Sequence, residues 1–342
     1  MQLGDLGADV IKVERAGVGD ESRGWGPPFD ARGESAYYLC CNRNKLSLGA
    51  NLDDPADVGL VLALIAEADV VVDNFMPGAL ARRGIDAPTI IAAHPSLVWC
   101  TITGFGPDSN RHGYDYVVQA ESGWMSVTGE PAGDPMKAGV ALADVLTGKE
   151  ATIAILAALA AVRGRGPAER YVSVSLFHTA VSAMFNVAQN TLVAATDARR
   201  WGNAHPNLVP YQLFHATDQP VVIAVGNDQQ YAAFATALRT PALEDVRFAS
   251  NAGRVAHRDE VVLLISTAIA TEAASVWLER LGAAGVPVGT VRTVRDALQR
   301  VGASPETGIA PQLPGSVRRP PPRLDQHGTA IRQHGWAAFA QL

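Results

Sequence analysis

Between residues 10 and 103 short apolar runs alternate with amphipathic helical ones, and this alternation commits the chain to a parallel α/β sheet. Residues 1–14, MQLGDLGADVIKVE, read as a helix end broken at Gly7 and followed at once by a strand over 10–13. Asp54 is placed to cap a helix with Pro55 at its first position, and Val58, Val61, Leu62 and Ile65 recur on one face. The run 70–72 is short and wholly apolar, as a strand buried on both faces would be; a helix near 89–93 then leads to a strand over 97–103. In such sheets ligands gather at the carboxyl ends of the strands.

Two of those strand ends carry candidate chemistry. Glu14 stands where a nucleotide fold places its ribose-binding acid, but no G-x-G-x-x-G precedes it, so the dinucleotide reading lacks its fingerprint. The glycine-rich loop 17–26 with Arg23 is either a weak phosphate site or a plain surface loop. The segment DNFMPGALARRG, 73–84, is either a turn opening a helix or, through Asn74, Phe75, Arg82 and Arg83, a site for an adenine and its phosphates.

The stretch 113–164 is the centre of the chain. GYDYVVQAESGW is followed by MSVTGE, by GVALADVLTG, and by an alanine-rich apolar helix predicted over 149–163, with Thr147 as N-cap and Gly164 closing it after Arg163. Ile153, Leu156, Ala157 and Ala160 recur at helical spacing, and the alanines between them permit packing on every side, so the helix is expected deep in the core. Asp144 stands just before the helix N-terminus, where the dipole favours a carboxylate and any anion formed beside it. From the residues alone it is a capping acid.

A further helix is predicted from Leu176 to about residue 195, after which 199–214, rich in Pro, Asn and Gly, reads as an ordered linker. A strand over 221–225 ends in GNDQQ, which is either a tight turn or a lid, and amphipathic helices around 228–239, 258–270 and 274–284 imply a second, smaller α+β domain. A strand and short helix over 286–298 lead back, through a proline-rich segment at 311–328, to a final helix carrying Trp336 and Phe339. The expected plan is a large α/β domain over 1–195, a linker over 196–214, a small α+β domain over 215–290 and a return segment over 291–342.

At 342 residues, 48% hydrophobic and 18% charged, the chain has the composition of a globular protein with a large core. A net charge of −6 argues against nucleic acid as the main partner. Cys40, Cys41 and Cys100 fit neither a disulfide framework nor a zinc site, and are expected to be core thiols of a reducing compartment. No signal peptide is recognised and the longest apolar run, within 151–162, is too short to span a bilayer, so a cytoplasmic protein with no membrane partner is expected.

The string KAGVALADVLTGKEATIAILAAL, with GYDYVVQ before it and RYVSVSL after it, resembles the core of the family III CoA-transferases. That family includes formyl-CoA and carnitine CoA-transferases and, as a racemase branch, alpha-methylacyl-CoA racemase. The resemblance implies a Rossmann-like parallel sheet with a smaller α+β domain, and an interlocked homodimer. It makes Asp144 the nucleophile that carries the acyl group. It also places Arg15, the 73–84 segment with Asn74, Phe75 and Arg82, and Tyr114 with Asp115, at positions that contact CoA. Over 199–230 the likeness is greatest to members that act on dicarboxylic acids such as succinate and glutarate, with Arg199, Arg200 and His205 as candidate anchors for a second carboxylate. Compared with the family pattern, the sequence reads as N-terminally truncated, lacking a first strand, and shortened near 303–313.

The implied reaction moves CoA from an acyl-CoA thioester to a free carboxylic acid, through an aspartyl anhydride and an aspartyl-CoA thioester, with no metal and no permanently bound cofactor. Oxyanion donors are expected from the backbone near Thr147 and Gly148. One alternative is a racemase of the same family; there Tyr114 stands where that branch has a histidine, and His112, two positions earlier, is the candidate base. The other is an inactive CoA-binding homologue.

Overall fold

The computed structural model describes every residue except Arg163 and Leu313. The expected end of the Asp144 helix at Arg163, and part of the 303–313 segment, therefore lie outside the described residues. Two compact units emerge. The first comprises Met1–Trp124, Lys137–Thr196 and Leu298–Leu342; the second comprises Met125–Met136 and Asp197–Ala297.

The first unit is the parallel part. Strands β1 (Ile11–Arg15) and β2 (Leu46–Ala50) form one parallel pair, while β3 (Val70–Asp73), β4 (Val98–Thr103) and β5 (Tyr171–Ser175) form a separate three-stranded parallel sheet in the order β3-β4-β5. The parallel strands are thus distributed over two sheets. Helices α1 (Gln2–Asp5), α2 (Ala36–Asn42), α3 (Pro55–Glu67), α4 (Ala87–Ala93), α5 (Asp115–Glu121) and α7 (Leu142–Ala160) intervene, while α6 (Trp124–Val127) belongs to the second unit from Met125 on. In α3 the Asp54 side chain accepts the Ala56 N–H, with Pro55 leading the helix; Val61 and Ile65 pack with Leu97 and Trp99, and Leu64 with Leu46, Leu48 and Ile331. β4 is the buried centre, since Val98, Trp99 and Cys100 are almost wholly enclosed. β3 departs from expectation: it is an edge strand, so Val72 is exposed and not covered on both faces.

The alanine-rich helix also departs. It begins at Leu142, so Asp144 lies in its first turn; Thr147 is interior and its hydroxyl donates to the Ala143 carbonyl at 2.7 Å. Only the stripe Ala143, Thr147, Ala151, Ile155 and Ala158 is buried, while Ile153 is 61% and Leu156 43% exposed. Small residues at four-residue spacing bring this one stripe close to Cys100 and Val174, and the opposite side remains uncovered. The following helix is interrupted, running Leu176–Ala183 and then Phe185–Ala194, with Phe185 at φ 41°.

The C-terminal segment docks on β2. Asp325 Oδ1 accepts the Gly49 N–H at 2.7 Å, and Ser47 exchanges bonds with His327 and Asp325. A Cβ at Gly49 would lie 3.2 Å from the Asp325 side chain. Trp336 and Phe339 sit on a 3-10 turn, Gly335–Ala340, and not on the preceding helix Gly328–His334, because Gly335 at φ 55° ends that helix.

The second unit holds an antiparallel sheet of β6 (Tyr211–His215), β7 (Pro220–Ala224) and β8 (Val288–Thr290) in that order, against helices Asp228–Leu238, Arg258–Ile269 and Ala274–Ala283. Its core gathers Phe214, Phe234, Ile265 and Trp277. The expected linker 199–214 thus ends inside a strand, whose alternating sequence YQLFH pairs with β7. No single helix among the described residues is long and apolar enough to cross a membrane.

Candidate active site

A cavity of about 890 Å³, within the usual range for small-molecule sites, opens at the carboxyl ends of the parallel strands of the first unit. Arg15 from the end of β1, Asn74 and Phe75 after β3, Thr103 at the end of β4 with Gly104 after it, Tyr114 before α5 and Asp144 from α7 share its wall. The turn after β3 is fixed by Asp73: one carboxylate oxygen accepts the Phe75 N–H at 3.0 Å, and the other accepts Trp99 Nε1 and Thr101 Oγ1, each at 2.7 Å. The exposed Phe75 ring thus stands on a rigid strand end.

Tyr114 is held by backbone contact. A Cβ on Gly113 would lie 2.2 Å from Gly104 Cα, and one on Gly104 would lie 2.5 Å from Gly113 Cα, so only glycine at both positions lets the two segments touch. This seats the GYD loop against the end of β4.

Asp144 is accessible to solvent, and among the described residues its carboxylate accepts no hydrogen bond. Enough protein surrounds the carboxyl to disfavour its charge, and the negative Asp115 adds to this, so its pKa rises to about 6. The helix is capped from elsewhere: Asp115 Oδ1 accepts the N–H of Ala143 at 2.8 Å and of Asp144 at 3.2 Å. The capping role that local sequence suggested for Asp144 belongs to Asp115, which leaves the Asp144 side chain free. Because α7 starts at Leu142, Thr147 and Gly148 lie inside it with their N–H groups turned to the helix ladder, and the expected oxyanion donors are not available there.

Of the sequence-derived site residues, Arg15, Asn74, Phe75, Tyr114 and Asp144 meet at the cavity, whereas Arg82 and Asp115 are not on its wall. Arg83 is, bonded to Asp53 at 2.9 Å. Arg15 makes no ion pair among the described residues. Arg111 and His112 also line the wall, Arg111 being paired with Glu121. Trp25, packed edge-on against Tyr37 with centroids 5.0 Å apart, escaped sequence reading; an aromatic inside the glycine-rich loop was its only signal.

Arg23 and Glu14 are structural. Arg23 binds Glu14 at 2.8 Å, Glu34 at 2.7 Å and the Tyr38 hydroxyl at 2.6 Å. Burial works against the charge on Glu14, but the bonds from Arg23 and Ser47 outweigh it and hold its pKa below the usual range. In the second unit, Arg200 is bonded to the carbonyls of Glu130 and Gly133, Arg199 stacks on Trp201, and His205 packs against Tyr211. GNDQQ forms a capped turn there: Asn227 accepts the Gln230 N–H, and Gln230 Oε1 accepts the Gly226 N–H, each at 2.8 Å. Cys40 and Cys41 are exposed, with sulfurs 3.4 Å apart, and only Cys100 is a core thiol as expected. No group of three or more His, Cys, Asp or Glu suited to a metal occurs among the described residues.

A parallel α/β unit with an open carboxylate at a helix start beside its strand ends has the parts of a group-transfer site, and comparison supplies the class. Residues 1–328 match the model of CoA-transferase family III, and the chain belongs to that family. It is 38% identical to the succinyl-CoA:glutarate CoA-transferase of Mus musculus, covering 96% of this chain and 80% of that one, and 38% identical to the succinate–glutarate CoA-transferase of Agrobacterium fabrum, covering 96% and 89%. The acetyl-CoA:oxalate CoA-transferase of Acetobacter aceti is 32% identical over 97% of this chain and 90% of its own. Among solved structures, a CAIB/BAIF family protein from Brucella suis superposes with a TM-score of 0.82 at 38% identity, covering 97% of this chain and 93% of that one. The enzyme class expected from the sequence is therefore the observed one, and the mixed α/β fold is that of its relatives.

Proposed function

We propose that the chain transfers CoA from an acyl-CoA thioester to a free dicarboxylic acid, with Asp144 as nucleophile. The observation that carries this reading is the Asp144 carboxylate itself. It stands at the cavity wall in a helix's first turn, without a hydrogen-bond partner among the described residues and beside a second carboxylate that raises its basicity. The dicarboxylate class is supported by the succinate, glutarate and oxalate named in the relatives.

The cycle needs no net proton. The Asp144 carboxylate attacks the thioester carbonyl; the C–S bond breaks and CoA leaves as thiolate, giving a mixed anhydride. The thiolate attacks the Asp144 carbonyl carbon, expelling the donor acid and leaving an aspartyl-CoA thioester. The acceptor carboxylate attacks that thioester, and the released thiolate takes the acceptor acyl group, returning Asp144 as carboxylate. Arg15 is the phosphate contact, and Asn74, Phe75 and Tyr114 hold the remainder of CoA along the wall.

Asp144→Asn tests this: transfer followed by mass spectrometry over a panel of donors and acids should vanish while CoA binding persists, and hydroxylamine during turnover should modify Asp144 alone. Turnover within about tenfold of the unaltered enzyme would place the nucleophile elsewhere. Activity should survive dialysis against a chelator and need neither nicotinamide nor ATP.

His112 on the same wall favours a second reading, a racemase, which predicts α-proton exchange with deuterated solvent and no CoA transfer. CoA-induced thermal stabilisation without either reaction would mark an inactive homologue. An interlinked homodimer is supported by the uncovered apolar side of the first unit, where Val145, Ile153, Leu156, Phe185, Leu192 and Val193 are exposed. A monomer in light scattering at micromolar concentration, or a melting temperature flat on dilution, would rule it out. A cytoplasmic location is part of the same proposal and is read by cell fractionation.

A further inference from the structure

Asp115 begins α5 immediately after Tyr114, yet it turns away from the cavity. Its Oδ1 takes the Ala143 and Asp144 N–H groups, and its Oδ2 accepts Gln119 Nε2 at 2.5 Å. Gln119, one helical turn on and fully enclosed, accepts the Ala138 N–H at 2.8 Å through Oε1 and donates to the Val140 carbonyl at 3.4 Å. Two side chains of α5 therefore hold the chain from residue 138 through 144 at four points. Every one of these bonds is to backbone, so the hold depends on side-chain geometry at 115 and 119 and on no side chain in the held segment.

We infer that Asp115 and Gln119 are positioning residues, a clamp that fixes the Asp144 carboxylate at the cavity wall and keeps a second negative charge beside it. The inference rests on Asp144 being the nucleophile. Of the other titratable groups, Tyr37 of α2 feels the Asp144 charge, and the same cavity is lined by the acids Glu14, Asp20, Glu21, Asp53 and Asp73, the cations Arg15, Arg83 and Arg111, and His112 and Tyr114. Of the titratable side chains among the described residues, only Asp115 also bonds the Asp144 N–H.

The test uses the polarity of the clamp. Asp115→Asn keeps the Oδ1 acceptor but turns an N–H toward the Gln119 donor and removes the charge. Combined with Gln119→Glu, donor and acceptor are exchanged between the two side chains and their mutual bond and the Ala138 bond are restored, while the long 3.4 Å bond to the Val140 carbonyl is lost. The single variant is expected to lose about 10²-fold in kcat, as misplacement of a reacting group does, with KM for the acyl-CoA little changed. Its acidic pH limb should shift to lower pH, which a purely structural defect would not produce. The double variant should recover most of kcat. A rise in KM with kcat intact would return Asp115 to CoA binding and overturn the clamp, as would a folded but inactive double variant. If Asp115→Asn does not fold, the double variant alone decides. Full activity in Asp144→Asn refutes the nucleophile; full activity in Asp115→Asn with Asp144→Asn inactive refutes only the clamp.

Discussion

Asp144→Asn should abolish turnover and, at neutral pH, make the protein more stable. In the folded chain the carboxyl titrates at about 6, against an ordinary 3.8, first because burial disfavours its charge and then because Asp115 repels it. The fold thus favours the protonated form. The penalty is absent below the unfolded pKa, grows as pH rises toward about 6 and stays constant above it. Asparagine removes it. Because the carboxyl is open to solvent, the full linkage value is discounted to about 1 kcal/mol, which for a chain of this size is about 1.4 °C in melting temperature. Melts of both proteins should therefore differ at about pH 7.5 and converge near pH 4. The same titration sets activity: kcat/KM should fall to about a tenth of its plateau near pH 5, where an ordinary aspartate would still be almost wholly ionised. An Asp144→Asn protein less stable than its parent at neutral pH, or an acidic limb near 4, would refute this account.

Gly113→Ala should destabilise the first unit by about 2 kcal/mol or more, since its Cβ would lie 2.2 Å from Gly104 Cα and backbone must move; chemical denaturation reads this. Arg23→Met should cost about 3–5 kcal/mol by leaving Glu14 buried without its partner. In the unaltered protein the Glu14 contribution is present above the ordinary carboxylate range and fades as pH falls through the depressed pKa, a dependence the variant should lack. Iodoacetamide near neutral pH should label Cys41 first, because the adjoining Cys40 thiol and the Lys45 charge favour its thiolate, while buried Cys100, pushed up to about 11, should react only after unfolding; peptide mapping decides.

Elements whose signals are local were legible in the sequence. Asp54 and Pro55 mark the start of α3, and the three amphipathic helices of the second unit lie within a residue or two of expectation. The start of α7 was not legible, because its cap comes from Asp115, 28 residues upstream of Ala143, while Thr147 and Gly148 imitate a nearer start. Its outward face misled for a related reason: alanines look alike whether they pack or face solvent, so the apolar Ile153 and Leu156 suggested burial. The break at Met184 carries no glycine or proline, and nothing local announces it. Motif and position singled out Asn74, Phe75 and Tyr114, and all three share the cavity wall. Asp115 lies off that wall, because a carboxylate that lines a cavity and one that turns inward to cap a helix are identical in sequence.

The two neighbouring carboxylates bear on the intermediates themselves. In the proposed cycle Asp144 is an anion only between turnovers; as anhydride and as thioester it is neutral. Its repulsion with Asp115 is therefore present in the resting enzyme and absent from both covalent states, returning only when the last acyl group departs. Such a site would hold its acylated forms more comfortably than its empty one. An enzyme loaded with CoA but lacking an acceptor should then wait as the thioester, carrying the charge-neutral state as its stored form between one acid and the next.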